Sequence, residues 1–280
     1  MRLCRADVGG RPQVLLETAD GHRSAEVEGE TFSDLPELLQ AAGGDATAIE
    51  PGEAISLSAS DLLSAVGRPA KVICIGLNYR LHAEESGAPL PSHPMLFPKW
   101  ATSLTAPGRD IELPPESSFV DWEAELAFIF GRTCRRVPAE AAHEVVFGYT
   151  AANDVSMRDF QTHTTQFTAG KAWDACTPVG PVVVPVAEAG GIEPDLAIEG
   201  RLNGAVLQRS RTNDLIFGVP QLVAYITTVM TMAPGDIVLT GTPSGVGVAA
   251  DPPRSLAAGE TYEVSIEEIG SLANRFVAAG

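Results

Sequence analysis

The sequence predicts a β-rich α+β protein, with a small N-terminal domain ahead of a larger one. Three observations point there. Short apolar runs recur along most of the 280 residues, each bounded by turn formers. The 27 glycines and 21 prolines are spread as punctuation rather than gathered in low-complexity tracts. Segments with helical spacing are few, so strands do not alternate with helices as a βαβ sheet would require.

In chain order, residues 1–66 form the light N-terminal unit. Gln13 to Glu17 and Ser24 to Val27 flank the turn signal Asp20-Gly21 and read as a hairpin. Phe32, Leu35, Leu38 and Leu39 have helical spacing over Phe32 to Ala42, and Gly43-Gly44 is the expected C-terminal stop. Gly67-Arg68-Pro69 punctuates the chain and opens the larger unit, 67–280. Strands are expected at 71–76, 95–97, 119–130, 145–152, 179–184, 195–202, 236–240 and 261–267. The best helix runs from Val219 to Met232, ended by Pro234-Gly235.

Composition limits the partners. With 19 basic against 36 acidic residues the formal charge is −17, which disfavours nucleic acid and anionic membrane surfaces. An anionic small substrate stays possible, because a bound divalent cation reverses the local field. Cys4, Cys74, Cys134 and Cys176 are too scattered for a zinc site. There is no apolar signal-peptide core at the N-terminus, and no apolar run approaches the ~18 residues needed to span a bilayer. A cytoplasmic protein with reduced thiols is the expectation.

The chemistry is concentrated in five segments. Read with a period of two, 119–130 places Val120, Trp122, Ala124, Leu126, Phe128 and Phe130 on one apolar face and Asp121, Glu123 and Glu125 on the other. Carboxylates about 7 Å apart along a strand repel unless they are fully solvated or share a cation. The apolar flanks favour the cation, with Glu123 and Glu125 as its ligands and an exposed acidic face as the alternative. Asp154 stands where a strand gives way to a turn, suited to a third metal carboxylate or to a plain Asx turn. His82 and Glu85, three apart, share one side of a helical turn, where the carboxylate can orient the imidazole as a general base; such pairs also occur on exposed helices. The run Gly87 to Ser92 after them has the make-up of a mobile loop. Lys171 lies in an apolar, Gly/Pro-bounded segment, and Gly241-Thr242-Pro243-Ser244-Gly245 forms a Gly/Thr-rich loop that lacks the lysine of a nucleotide P-loop.

Together these blocks resemble the fumarylacetoacetate hydrolase family over roughly residues 70–268. They are Ile75-Gly76-Leu77-Asn78-Tyr79 with His82 and Glu85, Asp121 to Leu126, Gly148 to Asp159, Gly170-Lys171 to Pro181, and Pro234 to Gly247, in family order. The resemblance implies a β-rich catalytic fold, usually dimeric, in the C-terminal part. It implies a Mg²⁺ or Mn²⁺ ion, with Ca²⁺ acceptable in crystals, held by Glu123, Glu125 and Asp154. It implies a His82/Glu85 dyad on a lid, a functional Lys171, and substrate contacts at Gln161 and Thr242; Arg80 and Arg158 are further candidates for the substrate's polar tail. The short N-terminal unit and Asn78 are similar to the smaller bacterial members. Their substrates are small anionic keto acids: acylpyruvates, oxaloacetate, 2-hydroxyhepta-2,4-diene-1,7-dioate and sugar-derived 2,4-diketo acids. The expected reaction is hydrolysis of a carbon–carbon bond in a 2,4-diketo acid by a homodimer. The alternatives are oxaloacetate decarboxylation or isomerisation at the same metal site.

Overall fold

The computed structural model describes residues 1–280. One mixed twelve-stranded sheet dominates. Its main path runs Glu30–Thr31, Gly21–Val27, Pro12–Thr18, Arg2–Asp7, Thr177–Pro185, Val146–Asn153, Ala124–Phe130, Ile237–Leu239, Val72–Gly76 and Met95–Lys99. Glu50–Ile55 joins it beside Gly21–Val27, and Leu104–Thr105 beside Thr177–Pro185. The N-terminal strands are continuous with the rest, because Leu3 and Cys4 pair with Val183 and Val182. A second sheet, ordered Ala205–Arg211, Ala197–Leu202, Thr261–Ile266, Gly270–Ala278 and Ile111–Leu113, packs against one face of the large sheet. No helix is long and apolar enough to cross a membrane.

The strand Ala124–Phe130 runs through the centre and is buried on both faces. Leu126, Phe128 and Phe130 face the second sheet and the helix Val219–Val229. Ala127 and Ile129 face the other core, with Leu35, Leu38 and Leu39 of the helix Leu35–Ala41. Each fully buried Leu or Phe contributes about 1.5–3 kcal/mol. A one-residue slip would exchange the two faces and push Glu125 between the sheets, so the same burial that stabilises the strand also fixes where its carboxylate points.

The expected strand 119–130 is in fact two pieces, Val120–Asp121 and Ala124–Phe130. The break has identifiable causes. Asp121 turns its carboxylate onto the amides of Trp122, Gly247 and Val248, and Trp122 stacks on Tyr262 with ring centroids 5.8 Å apart. Val120–Asp121 then pairs with Ser156–Met157 instead of continuing the main ladder. The helix from Val219 ends at Val229 rather than Met232, because Met232 exchanges backbone hydrogen bonds with Cys134.

Candidate metal centre and active site

The centre is built by two antiparallel strands ending together. Ala124 lies opposite Asn153 and Glu125 opposite Ala152, so Glu123 and Asp154 leave the ladder side by side. The amide of Asp154 donates to the Glu123 carbonyl at 2.9 Å, and the Glu123 amide donates to the side-chain oxygen of Asn153 at 3.0 Å. Ligand atoms of Glu123, Glu125 and Asp154 all lie within 4.8 Å of one another. Their exposures are 5%, 1% and 0%, which removes the exposed acidic face as an explanation. Asp121, on the same side by period, is taken out of the cluster by the break described above and by Arg158, whose Nε donates to it at 2.8 Å.

Three cations surround the carboxylates. Lys171 Nζ donates to Glu123 Oε2 at 2.6 Å and to Asp154 Oδ2 at 2.9 Å. Lys99 Nζ donates to Asp154 Oδ1 at 2.6 Å, and Arg158 Nη1 lies 2.7 Å from Glu123 Oε1. Burial works to raise the pKa of Glu123, but Lys171 and Arg158 outweigh it and hold the carboxyl at about 2. Glu125 has no ion-pair partner. Its one hydrogen bond comes from the Gly241 amide at 2.7 Å. Burial, with Asp154 and Glu123 close by, pushes its carboxyl well above the usual range.

This donor set fits a divalent cation. Three buried carboxylates offer only oxygen ligands, the preference of hard ions such as Mg²⁺, Mn²⁺ and Ca²⁺. Glu125 alone of the three has no cationic partner, and a divalent ion would supply the positive charge that its ionised form lacks.

A cavity of about 260 Å³ reaches the cluster at Glu123, with Glu125 and Asp154 behind its wall. Glu123, Lys171, Arg158, Gln161, Thr242 and His82 line it together with the apolar Leu77, Met95, Phe97 and Phe167. His82 sits on the short helix Arg80–Glu85, which follows a turn pinned by Asn78. The Asn78 amide donates to the carbonyls of Thr240 and Phe217, and its oxygen accepts from the Phe217 amide. Leu77 beside it is held at φ 53°, a left-handed conformation costly for leucine and found where a site dictates the backbone. His82 Nδ1 lies 3.1 Å from Glu85 Oε2, and the Gly245 amide donates to Glu85 Oε1 at 2.9 Å. With Nδ1 donating to Glu85, Nε2 carries the lone pair.

Of the substrate-binding residues expected from the sequence, Arg158, Gln161 and Thr242 line this cavity, whereas Arg80 does not. Arg80 is exposed and lines a separate depression near Glu193, Asn213 and Gln221. Gln161 Oε1 accepts from Arg158 Nη1 at 2.9 Å. The Thr242 hydroxyl donates to the Ala124 carbonyl at 3.0 Å and accepts from Gln208 Nε2 at 2.8 Å, so it is engaged in holding the strand that carries both glutamates. A larger concavity, about 810 Å³ around Arg5, Arg68 and Arg109, contains none of these residues.

Sequence reasoning missed Lys99 and Gln208. Lys99 had a visible signal: the chain contains sixteen arginines and only three lysines, Lys71, Lys99 and Lys171. Each pairs with a buried carboxylate, Lys71 with Asp236 at 3.1 Å. Gln208 had none. It is fully buried on Ala205–Arg211, accepting from the Ala124 amide and Tyr262 hydroxyl and donating to Thr242 Oγ1 and the Pro243 carbonyl.

Comparison with known proteins places these features in context. The family profile described as fumarylacetoacetate (FAA) hydrolase C-terminal matches residues 71–277. The mitochondrial oxaloacetate tautomerase fahd2 of Xenopus laevis is 41% identical over 225 residues, 80% of this chain and 70% of that protein. A solved fumarylacetoacetate hydrolase from psychrophilic Exiguobacterium antarcticum superposes over 100% of both chains, with a TM-score of 0.85 and 31% identity. The 2-hydroxyhepta-2,4-diene-1,7-dioate isomerase from Mycobacterium marinum covers 100% of this chain and 99% of its own, with a TM-score of 0.76 and 31% identity. Three relatives with three different names share the fold, so the fold alone does not choose the reaction.

Proposed function

This chain belongs to the fumarylacetoacetate hydrolase family, and from that premise we propose that it is a metal-dependent enzyme interconverting keto and enol forms of a small 2-keto dicarboxylate of the oxaloacetate type. The observation that carries this reading is the chain Gly245–Glu85–His82, whose imidazole lines the same cavity as Glu123, Lys171 and Arg158. That arrangement gives a positioned base facing a place for an anionic, chelating substrate.

A hard divalent cation held by Glu123, Glu125 and Asp154 would polarise the substrate's 2-keto oxygen as a Lewis acid. His82 Nε2, its ring oriented by Glu85, takes a proton from the carbon between the two carbonyl groups and passes it, directly or through water, to the enolate oxygen; the reverse direction returns it to carbon. Charge that develops on the enolate oxygen meets Lys171 and Arg158 at the cavity wall. Phe97 and Phe167 form the apolar side and lower the local dielectric, which strengthens both interactions.

The tautomerase at 41% identity and the isomerase at 31% support proton transfer ahead of the carbon–carbon hydrolysis that the sequence first suggested. The solved Exiguobacterium hydrolase keeps hydrolysis as a second reading, in which His82 would activate water for attack on a distal carbonyl. Oxaloacetate and acetylpyruvate, incubated side by side with Mg²⁺, Mn²⁺ or EDTA, separate them. Accelerated enol–keto relaxation of oxaloacetate without pyruvate release supports the proposal. Metal-dependent cleavage of acetylpyruvate to pyruvate and acetate would replace it with hydrolysis, and rapid CO₂ loss from oxaloacetate with decarboxylation.

A further inference from the structure

We propose that Lys99 is a positioning residue for the cation site, setting the orientation of Asp154 from behind while supplying a fixed counter-charge. This rests on the reading of Glu123, Glu125 and Asp154 as ligands of a divalent ion. Lys99 and Asp154 are both wholly shielded from solvent at their side chains, and Lys99 Nζ holds Asp154 Oδ1 at 2.6 Å. The same ammonium donates to the Val155 carbonyl at 3.3 Å, so it grips the backbone of the turn as well as the carboxylate. Lys99 does not line the cavity, whereas Lys171, on the other oxygen of Asp154, does. The two lysines are therefore not equivalent. Lys171 is within reach of a substrate, and Lys99 acts only through Asp154.

Residue choice agrees with this. A chain that uses arginine sixteen times places one of its three lysines here. An ammonium is a compact point charge with three donors, suited to gripping one carboxylate oxygen and one carbonyl, whereas a guanidinium fork is built to take both oxygens of a carboxylate. Taking both would also displace Lys171 from Asp154 Oδ2. Partners behind a metal ligand fix its orientation, and their removal typically costs about 10- to 100-fold in metal affinity or activity.

The test is Mn²⁺ titration by calorimetry on the purified chain, comparing wild type, Lys99→Met and Lys71→Met. Lys71 pairs with buried Asp236 outside the site and controls for loss of an ion pair as such. Lys99→Met is expected to bind Mn²⁺ about 10- to 100-fold more weakly, with Lys71→Met like wild type. Unchanged affinity in Lys99→Met would overturn the assignment. Where Lys99→Met does not fold, Lys99→Gln, which keeps an N–H donor without the charge, takes its place. Weaker binding supports the proposal and wild-type binding overturns it. A wild-type protein that binds no Mn²⁺ would instead remove the cation reading itself, and this proposal with it.

Discussion

Glu123 and Asp154 are tied to each other twice. The Asp154 amide donates to the Glu123 carbonyl at 2.9 Å, and Lys171 Nζ bridges their carboxylates at 2.6 and 2.9 Å. Thirty residues of intervening chain are thus closed into a rigid pair at the end of two central strands. Glu125 enters the same space from the strand itself, so the three carboxylates converge, and Glu123 reaches the cavity that His82 also lines.

Glu123→Gln is expected to abolish measurable Mn²⁺ binding. It also leaves Lys171 and Arg158 short of a buried counter-charge, and breaking a buried pair on one side costs about 3–5 kcal/mol. Calorimetric titration and urea unfolding of the same sample check both halves. Retained binding at wild-type affinity would contradict the ligand assignment.

His82→Ala is expected to lower turnover by ~10²–10⁴, the usual contribution of a positioned base, with Mn²⁺ affinity unchanged. Glu85→Gln is expected to fall between the two, because it weakens orientation of the ring while leaving the Nε2 lone pair in place. Turnover within a factor of about two of wild type in His82→Ala would exclude the dyad from proton transfer.

Stability is expected to depend on pH in two opposite ways. Glu123, held at about 2 against an ordinary 4.5, contributes stability that is complete above pH 4.5 and disappears as the pH falls through 2. Glu125, shifted upward, contributes stability that is complete below 4.5 and is lost as the pH rises through its raised value. EDTA-treated protein is therefore expected to lose thermal stability as the pH rises above 4.5, and Mn²⁺ to restore it. A melting temperature indifferent to both pH and Mn²⁺ above pH 4.5 would contradict the upward shift of Glu125.

Gln208→Leu is expected to destabilise the protein by on the order of 3 kcal/mol, since the Ala124 amide, Tyr262 hydroxyl and Pro243 carbonyl each lose a buried partner. Because Gln208 also holds Thr242 against the glutamate-bearing strand, the surviving protein is expected to bind Mn²⁺ more weakly. Chemical denaturation alongside metal titration tests this. A destabilised variant with wild-type metal affinity would confine Gln208 to the core.

The parts of the fold that the sequence showed clearly are those where burial imposes a period. Leu126, Phe128 and Phe130 announced the central strand, and Val219, Leu222, Val223 and Ile226 the longest helix, because each set faces one core. Strands with mixed faces were missed: Ala205–Arg211 alternates exposed arginines with Gln208, and Gly270–Ala278 opens on small and polar residues. Glu123, Glu125, Asp154, Lys171, Arg158, Gln161, Thr242 and His82 were legible as a set because their types and order resemble a family pattern. Arg80 was a candidate for the substrate's polar tail, but two positions before His82 on the same helix it turns to the exposed side. Gln208 was not legible because it acts through contacts 84 residues away in sequence, which no local pattern encodes, and Lys99, 55 residues from Asp154, was marked only by the rarity of lysine.

Deuterium incorporation at C3 of oxaloacetate, followed by NMR in D₂O, tests proton transfer most directly. With Mn²⁺ or Mg²⁺ the wild-type protein is expected to accelerate exchange while the carbon skeleton stays intact, and EDTA or His82→Ala is expected to abolish the acceleration. Exchange no faster than the metal ion alone produces, with pyruvate accumulating from oxaloacetate or acetylpyruvate instead, would contradict a tautomerase and leave bond cleavage as the reaction of this site.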